Sequence, residues 1–212
     1  MAETDRHRRL MLDLIHALER WFKDDRDVYV SGNLLLFYEE GNKRRHVSPD
    51  VFVVFGVPKW ERLNYLLWEE GRGPNVVIEL TSSSTRHEDT RKKFELYRDV
   101  LRVPEYFLFD PFGDYLNPRF QGYRLAAGRY RPMRLQDGRL RSRQLGLWLE
   151  PDGNALRLFD PATGGRLPTM TEVEATADRA RAAEAELERL RAENAALRKR
   201  TNGRNGHRPG PA

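Results

Sequence analysis

The chain contains no cysteine among its 212 residues. That excludes a disulfide framework and any thiolate metal site, and it is compatible with a reducing compartment. Long apolar runs are missing as well: none approaches the roughly 20 residues needed to cross a bilayer. The opening stretch MAETDRHRRLMLDLIHALERWF has basic residues but no uninterrupted apolar region and no small-residue cleavage site. No secretory signal is expected, and the chain reads as soluble and cytoplasmic. A large excess of one charge is also absent. The net charge of +5 reflects 37 basic against 32 acidic residues, evenly mixed, so a phosphate-backbone partner is permitted rather than demanded. Ser82, Ser83 and Ser84 sit in no Gly-x-Ser-x-Gly elbow and have no obvious histidine partner, which argues against a serine nucleophile.

What is present is a core and its periodicity. Leu10, Leu14, Ile15, Leu18 and Trp21 recur at helical spacing, predicting an amphipathic helix from Asp5 to Phe22. Val28–Val30 and Leu34–Tyr38 flank Ser31-Gly32-Asn33, a hairpin signal. Val51–Phe55 and Val76–Leu80 are short apolar runs of the kind found in strands buried on both faces. Pro58 to Gly73 reads as a short helix or an irregular excursion. Thr85 to Leu101 reads as a helix capped by Ser84 or Thr85, and Tyr106–Phe109 as a further strand. Strand, loop, strand, helix and strand together predict an α/β (α+β) domain with a mixed sheet and a crossover helix. Phe120–Leu125, Tyr130–Leu135, Leu145–Leu149 and Leu156–Phe159, separated by Gly-containing turns, predict an added antiparallel meander.

Residues 1–169 are expected to form this domain, 170–200 a coiled-coil helix, and 201–212 a disordered tail. Glu172 to Arg200 has no proline or glycine, and Leu187, Leu190, Asn194 and Leu197 take successive a, d, a and d positions of a heptad. Asn194 at an a position favours a parallel two-stranded coil, hence a homodimer. A solitary helix docked on the domain is the alternative.

The chemistry-bearing residues are Asp50, Glu79 and the pair Lys92-Lys93. A carboxylate inside the apolar run Val76–Leu80 is costly unless it is paired, hydrogen-bonded or bound to a cation. Asp50 and Glu79 on neighbouring strands could converge on one divalent metal, and oxygen ligands suit Mg2+, with Mn2+ as a substitute. The backbone carbonyl of Leu80 is a further candidate ligand. A nearby lysine would complete a phosphodiesterase site. Each residue also has an ordinary reading: Asp50 as a turn residue, Glu79 paired with a buried arginine, and the lysines as a solvated helix face. His46 and His87 read as peripheral, and Tyr97 as a core aromatic whose hydroxyl could brace Lys93.

The ordered series His46-Val47-Ser48-Pro49-Asp50-Val51, Pro74 to Ser82, Asp89, Lys93, Tyr97, Val103-Pro104-Glu105-Tyr106 and Phe109-Asp110-Pro111 resembles a known group. So do the later Gly122-Tyr123-Arg124-Leu125 and Leu145-Gly146-Leu147. The group is the PD-(D/E)xK nuclease superfamily and, within it, the Uma-two family of restriction-endonuclease-like proteins. The resemblance runs from Val28 to Thr169. It implies a restriction endonuclease-like mixed sheet flanked by helices, a metal held by Asp50 and Glu79, and endonucleolytic hydrolysis of DNA. The superfamily's lysine stands two residues after the glutamate, where this chain has Thr81. In the Uma-type pattern the lysine has moved to the following helix, four residues before a tyrosine, and Lys93 holds that place before Tyr97. Lys92 is the competing candidate, but only Lys93 shares a helical face with Asp89. The alternative function is a catalytically weak nucleic-acid-binding or coiled-coil interaction module that keeps the fold.

Overall fold

The computed structural model describes residues 4–81 and 88–204. The chain divides into two compact units, Met1–Thr169 and Met170–Ala212.

The first unit is built on a six-stranded sheet in the order β1-β4-β6-β7-β8-β9. Its strands are β1 (Val28–Ser31), β4 (Val51–Phe55), β6 (Val76–Leu80), β7 (Glu105–Phe109), β8 (Phe120–Ala126) and β9 (Arg129–Pro132). Only β6 and β7 run parallel; every other neighbour is antiparallel. A parallel pair needs a crossover, and the segment between β6 and β7 supplies it. Its described part is wound as π-helix over Glu88–Lys93 (π1) and Leu96–Val100 (π2). The wide winding shows in the Leu101 N–H, which donates to the Leu96 carbonyl five residues back at 3.0 Å. Such segments recur at functional sites.

Both faces of the sheet are covered, which is why β4, β6 and β7 read as unbroken apolar runs. Strand alternation sends Val51, Val53, Val76, Ile78, Leu80, Phe107 and Phe109 to one face. There they meet Leu10, Met11, Leu14 and Leu18 of α1 (Asp5–Trp21). Leu149, Leu156 and Leu158 pack against the same face. They belong to a three-stranded antiparallel sheet of β10 (Leu140–Arg141), β11 (Trp148–Asp152) and β12 (Ala155–Phe159). The opposite face carries Phe52, Val54, Val77, Tyr106 and Leu108, packed against Tyr97, Leu101 and a small sheet. That small sheet has β2 (Leu36–Phe37) between β3 (His46–Val47) and β5 (Tyr65–Leu66), and α2 (Leu67–Glu70) follows β5.

Three expectations are revised. The runs around Gly32 do not form a hairpin: β1 pairs with β4, whereas β2 pairs with β3 and β5 in a different sheet. Gly32 is required for another reason. An added Cβ there would overlap the Asp50 carbonyl oxygen and stand 2.7 Å from Ile15 Cδ1. The expected meander is split, with β8 and β9 extending the main sheet while β10 to β12 form their own layer. Its third strand starts at Trp148 rather than Leu145, because Gly146 at φ 72° makes a turn there. The excursion from Pro58 to Gly73 contributes β5 as well as α2. The proposed caps Ser84 and Thr85 lie outside the described residues.

The second unit is one helix, α3 (Met170–Arg204), with Leu187, Leu190 and Leu197 exposed.

Candidate active site

The antiparallel register of β4 and β6 places Val51 across from Ile78. Carried one pair further, it sets Asp50 opposite Glu79, close enough for side chains on one face to interact. The Asp50 N–H points at Glu79 Oε2 over 3.4 Å. Asp50 Oδ2 accepts from the Leu80 N–H at 2.7 Å, so the peptide after the glutamate fixes the aspartate's rotamer. Backbone contacts hold the approach to Asp50: the Asn33 N–H donates to the Pro49 carbonyl at 2.8 Å, with Gly32 against the next carbonyl.

Glu79 has 0% side-chain exposure. Lys93 Nζ donates to its Oε2 at 2.9 Å and the Tyr97 hydroxyl donates to its Oε1 at 2.6 Å. Both donors come from the crossover segment, so a carboxylate on the sheet is held by two groups four residues apart on π1 and π2. Tyr97 therefore binds the glutamate rather than bracing the lysine. Burial first, and then the charge of Glu79, hold the Tyr97 phenol well above its ordinary pKa. It stays a donor at any physiological pH. Lys92 is exposed. His46 is exposed too, its Nδ1 against the Lys43 carbonyl at 2.8 Å. His87 and the serines 82–84 lie outside the described residues, as does the side chain of Asp89.

The residue overlooked in the sequence is His7. Its Nε2 lies 3.1 Å from Asp50 Oδ1, and the two side chains are 18% and 13% exposed. The Thr4 hydroxyl accepts from the His7 N–H at 3.2 Å, capping α1 and setting where the helix starts. A trace of this was present in the sequence. The buried stripe of α1 runs through Leu10, Met11, Leu14, Ala17 and Leu18, and one turn earlier on that stripe is His7. Set within Arg6-His7-Arg8-Arg9, it reads instead as part of a solvated basic run.

Two other residues of the ordered series are structural. Glu105 is 1% exposed and binds Arg124 Nη2 at 2.9 Å, the Arg143 N–H at 3.0 Å and the Ser142 hydroxyl. It ties β7 to β8 and to the loop before β11. Asp110 accepts four backbone N–H groups, from Phe112, Gly113, Tyr115 and Leu116, at 2.9 to 3.2 Å.

Two carboxylates on adjoining strands and a lysine within hydrogen-bond reach have the chemistry to hold a divalent cation against a phosphodiester. Asp50 divides its oxygens, Oδ2 towards the Leu80 N–H and Oδ1 towards His7 Nε2. Among the described residues no three His, Cys, Asp or Glu side chains form a ready-made cage. Several positions around such an ion would therefore belong to water and phosphate, as Mg2+ favours.

No curated protein matches the chain. Among solved structures, a "putative nuclease belonging to DUF820" from Anabaena variabilis is similar, with a TM-score of 0.49 and 14% identity. The match covers 68% of this chain and 76% of that one. A family model described as "Putative restriction endonuclease" matches residues 1–152, and the chain belongs to that family, Uma2.

Proposed function

We propose that the protein is a divalent-metal-dependent endonuclease hydrolysing phosphodiester bonds in DNA through a PD-(D/E)xK-type site. The observation that carries this reading is the convergence of Asp50, Glu79 and Lys93 at one end of the sheet, with Lys93 reaching Glu79 from the crossover helix rather than from the strand. Asp50, Glu79 and the Leu80 carbonyl would hold Mg2+, or Mn2+ in its place. The cation would neutralise charge on the phosphate and lower the pKa of water at the site.

The chain's own groups have separate tasks. Leu80 N–H keeps Asp50 Oδ2 engaged, so the aspartate presents one oxygen and a fixed rotamer. The Tyr97 hydroxyl anchors Glu79 without taking its charge. Lys93 places a positive charge beside Glu79, suited to orienting a water or countering charge developing on phosphate oxygens. The α3 heptads would pair two copies, and paired active sites suit cutting both strands of a duplex. The cysteine-free composition supports a cytoplasmic setting, and among the described residues no helix is long and apolar enough to cross a membrane.

The test is cleavage of plasmid and single-stranded DNA with Mg2+ or Mn2+, beside Asp50→Ala, Glu79→Ala, Lys92→Ala and Lys93→Ala. Metal-dependent cutting, lost in all but Lys92→Ala, is the expected result. Cutting confined to RNA would change the substrate class. Intact DNA and RNA with folded, metal-loaded protein would overturn the enzyme reading in favour of an interaction module.

A further inference from the structure

We propose that His7 is a nitrogen ligand to the divalent cation of this site, and that the site is consequently tuned to Mn2+ over Mg2+. The inference rests on the metal-dependent reading above and adds a donor from the opposite side of the sheet. The crossover segment that brings Lys93 and Tyr97 packs on one face, and α1, which carries His7, packs on the other. The two converge at the end of β6.

The geometric ground is the division of labour at Asp50. Oδ2 is engaged by the Leu80 N–H at 2.7 Å, and it is Oδ1 that lies 3.1 Å from His7 Nε2. Two ligands at adjacent corners of an octahedron with bonds of about 2.1–2.2 Å stand about 3.0–3.1 Å apart. The imidazole nitrogen and the carboxylate oxygen already have that spacing. Their side chains are largely buried, at 18% and 13% exposure, beside Lys93 at 14% and Glu79 at 0%.

His7 is not held there by a long flexible reach. The Thr4 cap fixes the start of α1, and the Leu10, Met11 and Leu14 stripe fixes its rotation on the sheet. Helix packing alone therefore aims the imidazole at Asp50. A site with only oxygen donors suits Mg2+, whereas imidazole shifts preference towards first-row transition ions.

The experiment loads the full-length protein with Mn2+ and reads its electron spin echo modulation, which detects a directly bound imidazole nitrogen. Wild type, protein labelled with 15N-histidine, His7→Gln, His7→Asp, Asp50→Asn and Glu79→Gln are compared, with Mn2+ and Mg2+ affinities measured by titration calorimetry. The expected result is a nitrogen modulation that changes on 15N labelling and vanishes in His7→Gln. Mn2+ affinity should fall about tenfold or more in that variant, with Mg2+ affinity little changed. His7→Asp should recover binding without the modulation and narrow the Mn2+ to Mg2+ ratio. Mn2+ that binds through Asp50 and Glu79 without nitrogen modulation would overturn the inference while leaving the nuclease reading intact. The same holds if His7→Gln halts cleavage with the modulation unchanged, since His7 would then be carrying protons. Absence of any Mn2+ or Mg2+ binding would overturn both.

Discussion

The Tyr97 hydroxyl lies 2.6 Å from Glu79 Oε1, so a phenol on the crossover helix anchors the one carboxylate buried in the central strand. Tyr97→Phe should lower DNA cleavage about 10- to 100-fold, the usual effect of removing an outer-shell partner. Unfolding free energy should fall by about 1.5–3 kcal/mol, because a buried carboxylate loses one of its donors. The pH dependence has a definite sign. Burial and the Glu79 charge raise the phenol's pKa in the folded state, so its contribution is complete below the unfolded value of about 10 and lost as pH rises above it. Denaturation followed from pH 8 to 11 should show stability declining above pH 10, less steeply in Tyr97→Phe.

Lys93 and Lys92 are neighbours with different surroundings. Lys93→Ala leaves Glu79 buried without its cation and should destabilise the fold by about 3 kcal/mol. Lys92→Ala, at an exposed position, should stay within about 0.5 kcal/mol of wild type. Urea unfolding of the two variants separates them, and equal effects would contradict this assignment.

Gly32 controls Asp50 from the backbone. Gly32→Ala should force the Asp50 carbonyl or Ile15 to move, at about 1–3 kcal/mol. Metal affinity should fall with stability, whereas a mere loop glycine would affect neither. Calorimetric titration with Mn2+ alongside melting tests both at once.

Asp110 supplies a prediction at acid pH. Burial alone would raise its pKa, but the four backbone N–H groups outweigh that and hold it below the ordinary value. Its contribution to stability is thus present above about pH 4 and lost as pH falls through the depressed folded value. Asp110→Asn keeps the shape but turns an amide donor towards those N–H groups. It should cost about 2–4 kcal/mol at pH 7 and flatten the acid limb of the stability profile.

The α3 heptads predict self-association. Deleting Glu172 to Ala212 should convert a dimer to a monomer on light scattering, and a monomeric full-length protein would end the coiled-coil reading.

Much of the architecture was legible because it depends on local pattern. The apolar runs of β4 and β6 announce strands covered on both faces, and the 3.6-residue stripe of α1 announces its buried side. Glu79 stood out because a carboxylate in such a run needs a partner, and the Lys93 to Tyr97 spacing pointed to the crossover helix. The failures were all non-local. Gly32 carries the same turn signal whether it closes a hairpin or makes room for a carbonyl 18 residues further on. Likewise, nothing local shows that loop amides occupy Asp110 or that Arg124 pairs with Glu105.

The sequence by itself therefore determined the strands of the central sheet, the first and last helices and the buried acid, because each follows from periodicity or from the desolvation cost of a charge. Only the tertiary structure decided which groups meet that acid. The meeting of His7, Asp50, Glu79 and Tyr97 depends on strand register, on π-winding and on a helix packed across the opposite face. Those are properties of contacts between distant segments, and no local pattern encodes them.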